Sequence, residues 1–127
     1  MSNFVQVTPF VTVESLERAV GFFRDILGFE VLLRQSNYAY MEREGVGFRL
    51  LELHGVSGAP PGNRRFAYYI DVRDVDALYQ ELKPKLEMLP KGDVTGPVNQ
   101  PYGQREFMVL APDGNLLAFG QPIPHET

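Results

Sequence analysis

Three polar residues near the middle of the chain carry side chains that suit ligand or metal binding. Glu52 and His54 stand two residues apart, so in a strand both would lie on the same face. Carboxylate and imidazole are common metal ligands, but the sequence shows no third ligand beside them. His54 also begins a segment rich in glycine and proline, which favours a surface histidine instead. Arg65 offers only hydrogen-bond donors, so it would pair with an anionic ligand group or with Glu52.

Aromatic residues form the second group with potential for binding. An aromatic surface suits planar organic ligands, and a tyrosine adds a hydroxyl group for hydrogen bonding. The alternative is ordinary packing in a core or a dimer interface. The sequence contains no phosphate loop, nucleophile elbow or paired His–Asp arrangement, so we predict no catalytic residue. The predicted ligand-binding set is Phe10, Tyr38, Tyr40, Phe48, Leu50, Glu52, Arg65, Tyr69, Tyr102, Arg105 and Phe107.

The scaffold that must position these residues is predicted from an internal repeat. Each half of the chain has the pattern of a strand, an amphipathic helix and three further strands. The first module covers residues 1–53 and the second covers residues 64–121. Residues 54–63 hold three glycines and two prolines, which is typical of a linker. One module cannot bury its own sheet face, so both are expected to share a single domain spanning residues 1–127.

The predicted fold class is α+β, in which the two β-α-β-β-β modules form a curved mixed sheet with the helices on its convex side. The concave side would form a cup for a ligand. In the first strand, alternation directs the odd-numbered valines towards the helix and Phe10 into the cup. Gly45-Val46-Gly47 is predicted to be the turn before a strand that begins at Phe48.

Composition and charge narrow the functional classes. Hydrophobic residues make up 44% of the 127 residues, which is typical of a globular fold. A net charge of −4 argues against nucleic acid as a partner, and the absence of cysteine excludes disulfides and thiolate metal sites. No apolar run reaches the about 20 residues of a membrane helix. The first residues lack the pattern of a signal peptide, so we expect a cytoplasmic protein that contacts no membrane.

The repeat, the helix with its Leu27-Gly28-Phe29 ending, and the closing segment with its Pro112-Asp113-Gly114-Asn115 turn resemble the vicinal oxygen chelate superfamily. This superfamily includes glyoxalase I, extradiol dioxygenases, fosfomycin resistance enzymes and bleomycin resistance proteins. The resemblance covers nearly the whole chain. It implies the cup fold more strongly than it implies any particular activity.

Metal-dependent members of this superfamily hold an ion with His or Glu side chains from four strands. The resemblance carries those positions onto Thr8, Glu52, Arg65 and Ala118, of which only Glu52 is a usual ligand. Arg65 would repel a cation, because two like unit charges ~4 Å apart interact by roughly 4 kcal/mol at an effective dielectric of 20. The resemblance therefore implies neither a bound metal nor a cofactor.

The remaining resemblance is to the bleomycin resistance branch, whose members sequester a drug in a cup that two chains of a dimer share. It implies a metal-independent homodimer that binds a small, partly aromatic organic molecule and performs no covalent chemistry. One alternative is a metal-dependent lyase, isomerase or dioxygenase that uses Glu52 with His54. Another is an accessory domain in which only the dimer surface has a function.

Overall fold

The computed structural model describes residue 3 and residues 5–53 and 66–124. The chain divides into two compact units, Met1–Gly58 and Ala59–Thr127. Each unit contains one four-stranded mixed sheet and one helix, so the α+β class is confirmed. The predicted linker, together with His54 and Arg65, lies outside the described residues.

In the first unit, the helix follows the first strand and the other three strands follow the helix. The sheet order is β1-β4-β3-β2, in which β1 is parallel to β4 and the other pairs are antiparallel. Val5 and Val7 lie before β1 and are exposed, so the prediction that they face the helix is wrong. The elements are β1 (Phe10–Val13), α1 (Leu16–Gly21) with a following π-helical turn (Phe22–Ile26), β2 (Glu30–Arg34), β3 (Tyr38–Arg43) and β4 (Val46–Glu52).

The second unit repeats this arrangement strand for strand. Its sheet order is β5-β8-β7-β6, with β5 parallel to β8, which confirms the predicted repeat. The elements are β5 (Ala67–Asp71), α2 (Val75–Leu86), β6 (Val98–Asn99), β7 (Gln104–Leu110), a short 3₁₀ turn (Pro112–Gly114) and β8 (Leu116–Pro122).

One face of each sheet packs against the helix of its own unit and forms that unit's core. In the first unit, the ring of Phe23 lies 5.5 Å from Phe29 and 5.4 Å from Phe48 between centroids. In the second, Phe107 stacks on Phe119 at 5.0 Å and meets Tyr79 of α2 edge-on at 5.2 Å. Alternation leaves the residues between these positions on the opposite face of each sheet.

The start of each helix is fixed by its own cap and by the last strand of the sheet. Ser15 accepts a hydrogen bond from the Arg18 amide, and Asp74 accepts one from the Ala77 amide. In addition, the Glu52 side chain at the end of β4 accepts a hydrogen bond from the Leu16 amide at 2.8 Å. The Gln121 side chain of β8 likewise accepts a hydrogen bond from the Val75 amide at 2.5 Å. The internal repeat therefore extends to these side-chain contacts.

Candidate functional site

The sheet faces that lie opposite the helices carry the polar and aromatic groups available for binding. We call the face of the first sheet face A and that of the second sheet face B. Strand register defines both, because residues paired across neighbouring strands share a face. Face A contains Phe10, Thr12, Tyr38, Tyr40, Arg49 and Leu51. Face B contains Tyr69, Gln104, Glu106, Met108, Ala118 and Gly120.

Face A combines aromatic rings with one guanidinium group. Arg49 Nη1 donates a hydrogen bond to Tyr38 Oη at 2.6 Å. The guanidinium carbon of Arg49 lies 5.4 Å from the centroid of the Tyr40 ring, which is within the range of a cation–π interaction. Among the described residues, no carboxylate forms an ion pair with Arg49. The contacts of its guanidinium group within the described residues are therefore with tyrosines, which do not neutralise its charge.

A glycine makes room for the tyrosine of face A. Tyr40 leans along the sheet over Gly47, and a Cβ atom on Gly47 would overlap the tyrosine hydroxyl. Face B has the same device, because Tyr69 lies over Gly120 and a Cβ there would overlap the Tyr69 hydroxyl. In each unit, a glycine in the last strand therefore leaves space for a tyrosine side chain from the neighbouring strand.

Face B centres on a buried carboxylate. Glu106 is only 1% exposed. The Tyr69 hydroxyl lies 3.2 Å from Glu106 Oε1 and 3.1 Å from Gln104 Oε1, so it can donate to either acceptor. Glu106 Oε2 is buried and accepts no hydrogen bond from the described residues. A buried polar atom without a hydrogen-bond partner is rare in a folded protein, so this oxygen needs a physical explanation.

The environment of Tyr69 raises its pKa to about 12. The largest cause is desolvation of the hydroxyl, followed by the charge of Glu106 and the hydrogen bond to it. Because the folded protein holds this proton more tightly than the unfolded chain does, the resulting stability is complete below pH 10. It is lost as the pH rises from about 10 to 12.

We expect spectrophotometric titration of the six tyrosines to show at least one that ionises well above pH 10. Replacing Tyr69 by phenylalanine should remove the ionisation that occurs at the highest pH and leave the ionisations at lower pH in place. The comparison is made on folded protein, as verified by circular dichroism at each pH. Simultaneous ionisation of all six tyrosines near pH 10 would contradict this account of face B.

The predicted binding residues do not lie together on one surface. Phe10, Tyr38 and Tyr40 lie together on face A, and Tyr69 lies on face B. Tyr102 is exposed in the turn before β7, where hydrogen bonding to Glu106 and desolvation raise its pKa. Arg65 is outside the described residues. The remaining predicted residues have their side chains on the helix sides of the sheets, so their predicted orientation is wrong: Phe48, Leu50, Glu52, Arg105 and Phe107.

The physical reasons for these corrections differ. Phe48 and Leu50 are buried beneath α1, and Phe107 is buried beneath α2. Glu52 caps α1 through the Leu16 amide. Arg105 forms an exposed ion pair with Asp76 of α2 at 2.8 Å. The sequence reasoning also missed Arg49 and Glu106, two charged residues that lie on the faces opposite the helices.

Comparison with known proteins identifies the family. The model of the glyoxalase/bleomycin resistance protein/dioxygenase superfamily matches residues 4–119. The chain belongs to this superfamily. A curated bleomycin resistance protein of Geobacillus stearothermophilus is 29% identical, and the match covers 94% of this chain and 98% of the relative.

Solved structures of the superfamily have the same fold. The bleomycin-binding protein of Streptomyces verticillus, solved with copper(II)-bleomycin, has a TM-score of 0.76 and 25% identity; the match covers 98% of this chain and all of the other. An antibiotic-binding protein of Streptomyces sp. CB03234 has a TM-score of 0.68 and 25% identity, with 95% of this chain and 99% of the other covered.

The residues at the superfamily's metal positions do not fit a metal ion. Glu52 already receives the Leu16 amide, and Thr8 lies before β1 with its hydroxyl bonded to Gln6 at 3.1 Å. Ala118 offers only a methyl group. Within the described ranges, no three His, Cys, Asp or Glu side chains are grouped as a metal site would require. The described residues also include no helix long and apolar enough to cross a bilayer.

Proposed function

We propose that this protein binds a small, planar organic molecule without a metal and acts by sequestering it. The observation that carries the proposal is face A, where Phe10, Tyr38 and Tyr40 share a face with Arg49, whose guanidinium contacts both tyrosines. Aromatic rings stack on planar ligands, and Arg49 supplies N–H donors for acceptor atoms at the ligand edge.

The comparisons support a drug or drug-like metabolite as the ligand. The curated relatives are bleomycin resistance proteins, and two similar structures are described as bleomycin-binding and antibiotic-binding. We therefore propose bleomycin, or a planar antibiotic of similar chemistry, as the first ligand to test. We also propose that the protein works as a homodimer in the cytoplasm. Sedimentation equilibrium tests the dimer.

The test of this function is calorimetric titration of the purified protein with metal-free bleomycin and with copper(II)-bleomycin. We expect saturable binding of at least one form. Replacing Tyr40 by alanine should weaken binding by roughly 1–2 kcal/mol, a factor of about 5–30, because the aromatic platform and its cation–π partner are lost.

The matched control is Val46→Ala, which changes a residue on the opposite face of the same sheet and should leave the affinity unchanged. Both variants are first compared with the parent by thermal melting to exclude misfolding. Absence of binding by bleomycin and by a panel of planar antibiotics would refute the proposed function.

A further inference from the structure

One oxygen of the buried Glu106 carboxylate accepts no hydrogen bond from the described residues, and ligand stacking on face A does not explain this. From it we infer that Glu106 anchors a cationic N–H donor group of the ligand, such as an ammonium or amidinium group. This inference rests on the proposed function, because it adds a charge requirement to a protein that binds small organic molecules. It assigns face B a role distinct from that of the aromatic face A.

The geometry leaves one acceptor oxygen of Glu106 buried and without a hydrogen bond from the described residues. The Tyr69 hydroxyl can donate a hydrogen bond to Oε1, whereas no described donor bonds to Oε2. Glu106 pairs across the sheet with Gly120, and a Cβ atom there would lie 3.1 Å from the Glu106 Cβ. The same Cβ atom would overlap the Tyr69 hydroxyl, so the glycine is what allows Tyr69 to reach the Glu106 carboxylate.

The energetic cost of this arrangement argues for recognition. A buried carboxylate without full hydrogen bonding destabilises a fold unless a partner supplies donors or positive charge. Among the described residues, no basic side chain forms an ion pair with Glu106. The hydroxyl groups of Tyr69 and Tyr102 are neutral, so they provide hydrogen bonding to Glu106 without neutralising its charge. A cationic ligand group would provide both.

Other occupants fit less well. A metal ion needs several anionic or imidazole ligands, and the described residues contain no such group of three. The phenol of Tyr69 keeps its proton at neutral pH, because its pKa is about 12, so it acts as a donor there. An ammonium or amidinium group needs one strong acceptor, and the ring of Tyr69 adds a cation–π contribution beside it.

The experiment compares benzamidine with benzamide, which have nearly the same shape and differ in charge. Binding of each to the intact protein is measured by protein NMR chemical-shift titration. We expect benzamidine to bind at least about tenfold more tightly than benzamide, with the largest amide shifts at Gln104 to Met108 and at Gly120.

Glu106→Gln keeps the size of the side chain and removes its charge. We expect this variant to bind both probes with equal affinity. Glu81→Gln, which removes the same charge from the exposed surface of α2, should retain the preference for benzamidine. If Glu106→Gln does not fold, the two probes and the shift map on the parent protein decide the question.

Equal affinity of the two probes for the parent protein, or an unchanged preference in Glu106→Gln, would overturn the inference while the bleomycin titration still supports the proposed function. Failure of both probes to bind would also overturn it. In that case the bleomycin titration shows separately whether the proposed function fails as well.

Discussion

Replacing Phe107 by alanine is expected to lower the free energy of unfolding by about 3–5 kcal/mol. The side chain is 0% exposed, stacks on Phe119 and contacts Tyr79 of α2. Its removal deletes the ring from the centre of the second unit and leaves a cavity between the sheet and the helix. The loss of packing contacts adds to the loss of buried apolar area, so the cost exceeds that of a surface change.

Urea unfolding followed by circular dichroism measures this effect. Phe10→Ala is the control, because Phe10 is also a phenylalanine in a strand but is 53% exposed on face A. The control should change stability by about 0.5 kcal/mol or less. If Phe107→Ala leaves stability unchanged but weakens a ligand, the residue belongs to the binding site as the sequence predicted, and its assignment to the core is incorrect.

The fold was predictable from the sequence because its signals are local and occur twice. Apolar residues at helical spacing after Ser15 and after Asp74 indicate the two helices, and both residues cap the helix that follows them. Hydrophobic alternation and the turn residues then define the strands between them. These features do not depend on distant contacts, so a single sequence is sufficient to predict them.

The error on the first sheet arose from one turn. A turn at residues 45–47 would pair residue 44 with residue 48 and therefore place Tyr40 on the same face as Phe48. The actual turn has two residues, Glu44 and Gly45, both with positive φ, and pairs Arg43 with Val46. This register opposes Tyr40 to Arg49, which moves the neighbouring positions to the other face.

Glu106 was missed for a different reason. Three neighbours in β7 are polar or charged, namely Gln104, Arg105 and Glu106, so the sequence favours an exposed strand start there. Which of the two charged residues is buried depends on what packs against each face. Arg105 pairs with Asp76 on α2, whereas Glu106 lies beneath Tyr69. Such contacts arise only when the sheet and helix come together.

The second large effect concerns Glu52, for which we expect Glu52→Ala to cost about 1–3 kcal/mol of stability. The Glu52 carboxylate accepts a hydrogen bond from the amide of Leu16, the first residue of α1, and Leu16 is itself buried. Alanine would leave this amide without its side-chain acceptor. It would also remove a negative charge from the positive end of a helix, which is a favourable position for an acid.

Two comparison variants separate the hydrogen bond from the charge. Glu52→Gln keeps a carbonyl oxygen within reach of the Leu16 amide, so it should retain at least half of the stability lost in Glu52→Ala. Gln121→Ala removes the neutral counterpart from Val75 in the second unit and should cost about 1 kcal/mol. A stable Glu52→Ala protein that has lost ligand or metal binding would restore Glu52 to the site. Otherwise Glu52 serves the first unit as Gln121 serves the second, by joining the end of the sheet to the start of the helix.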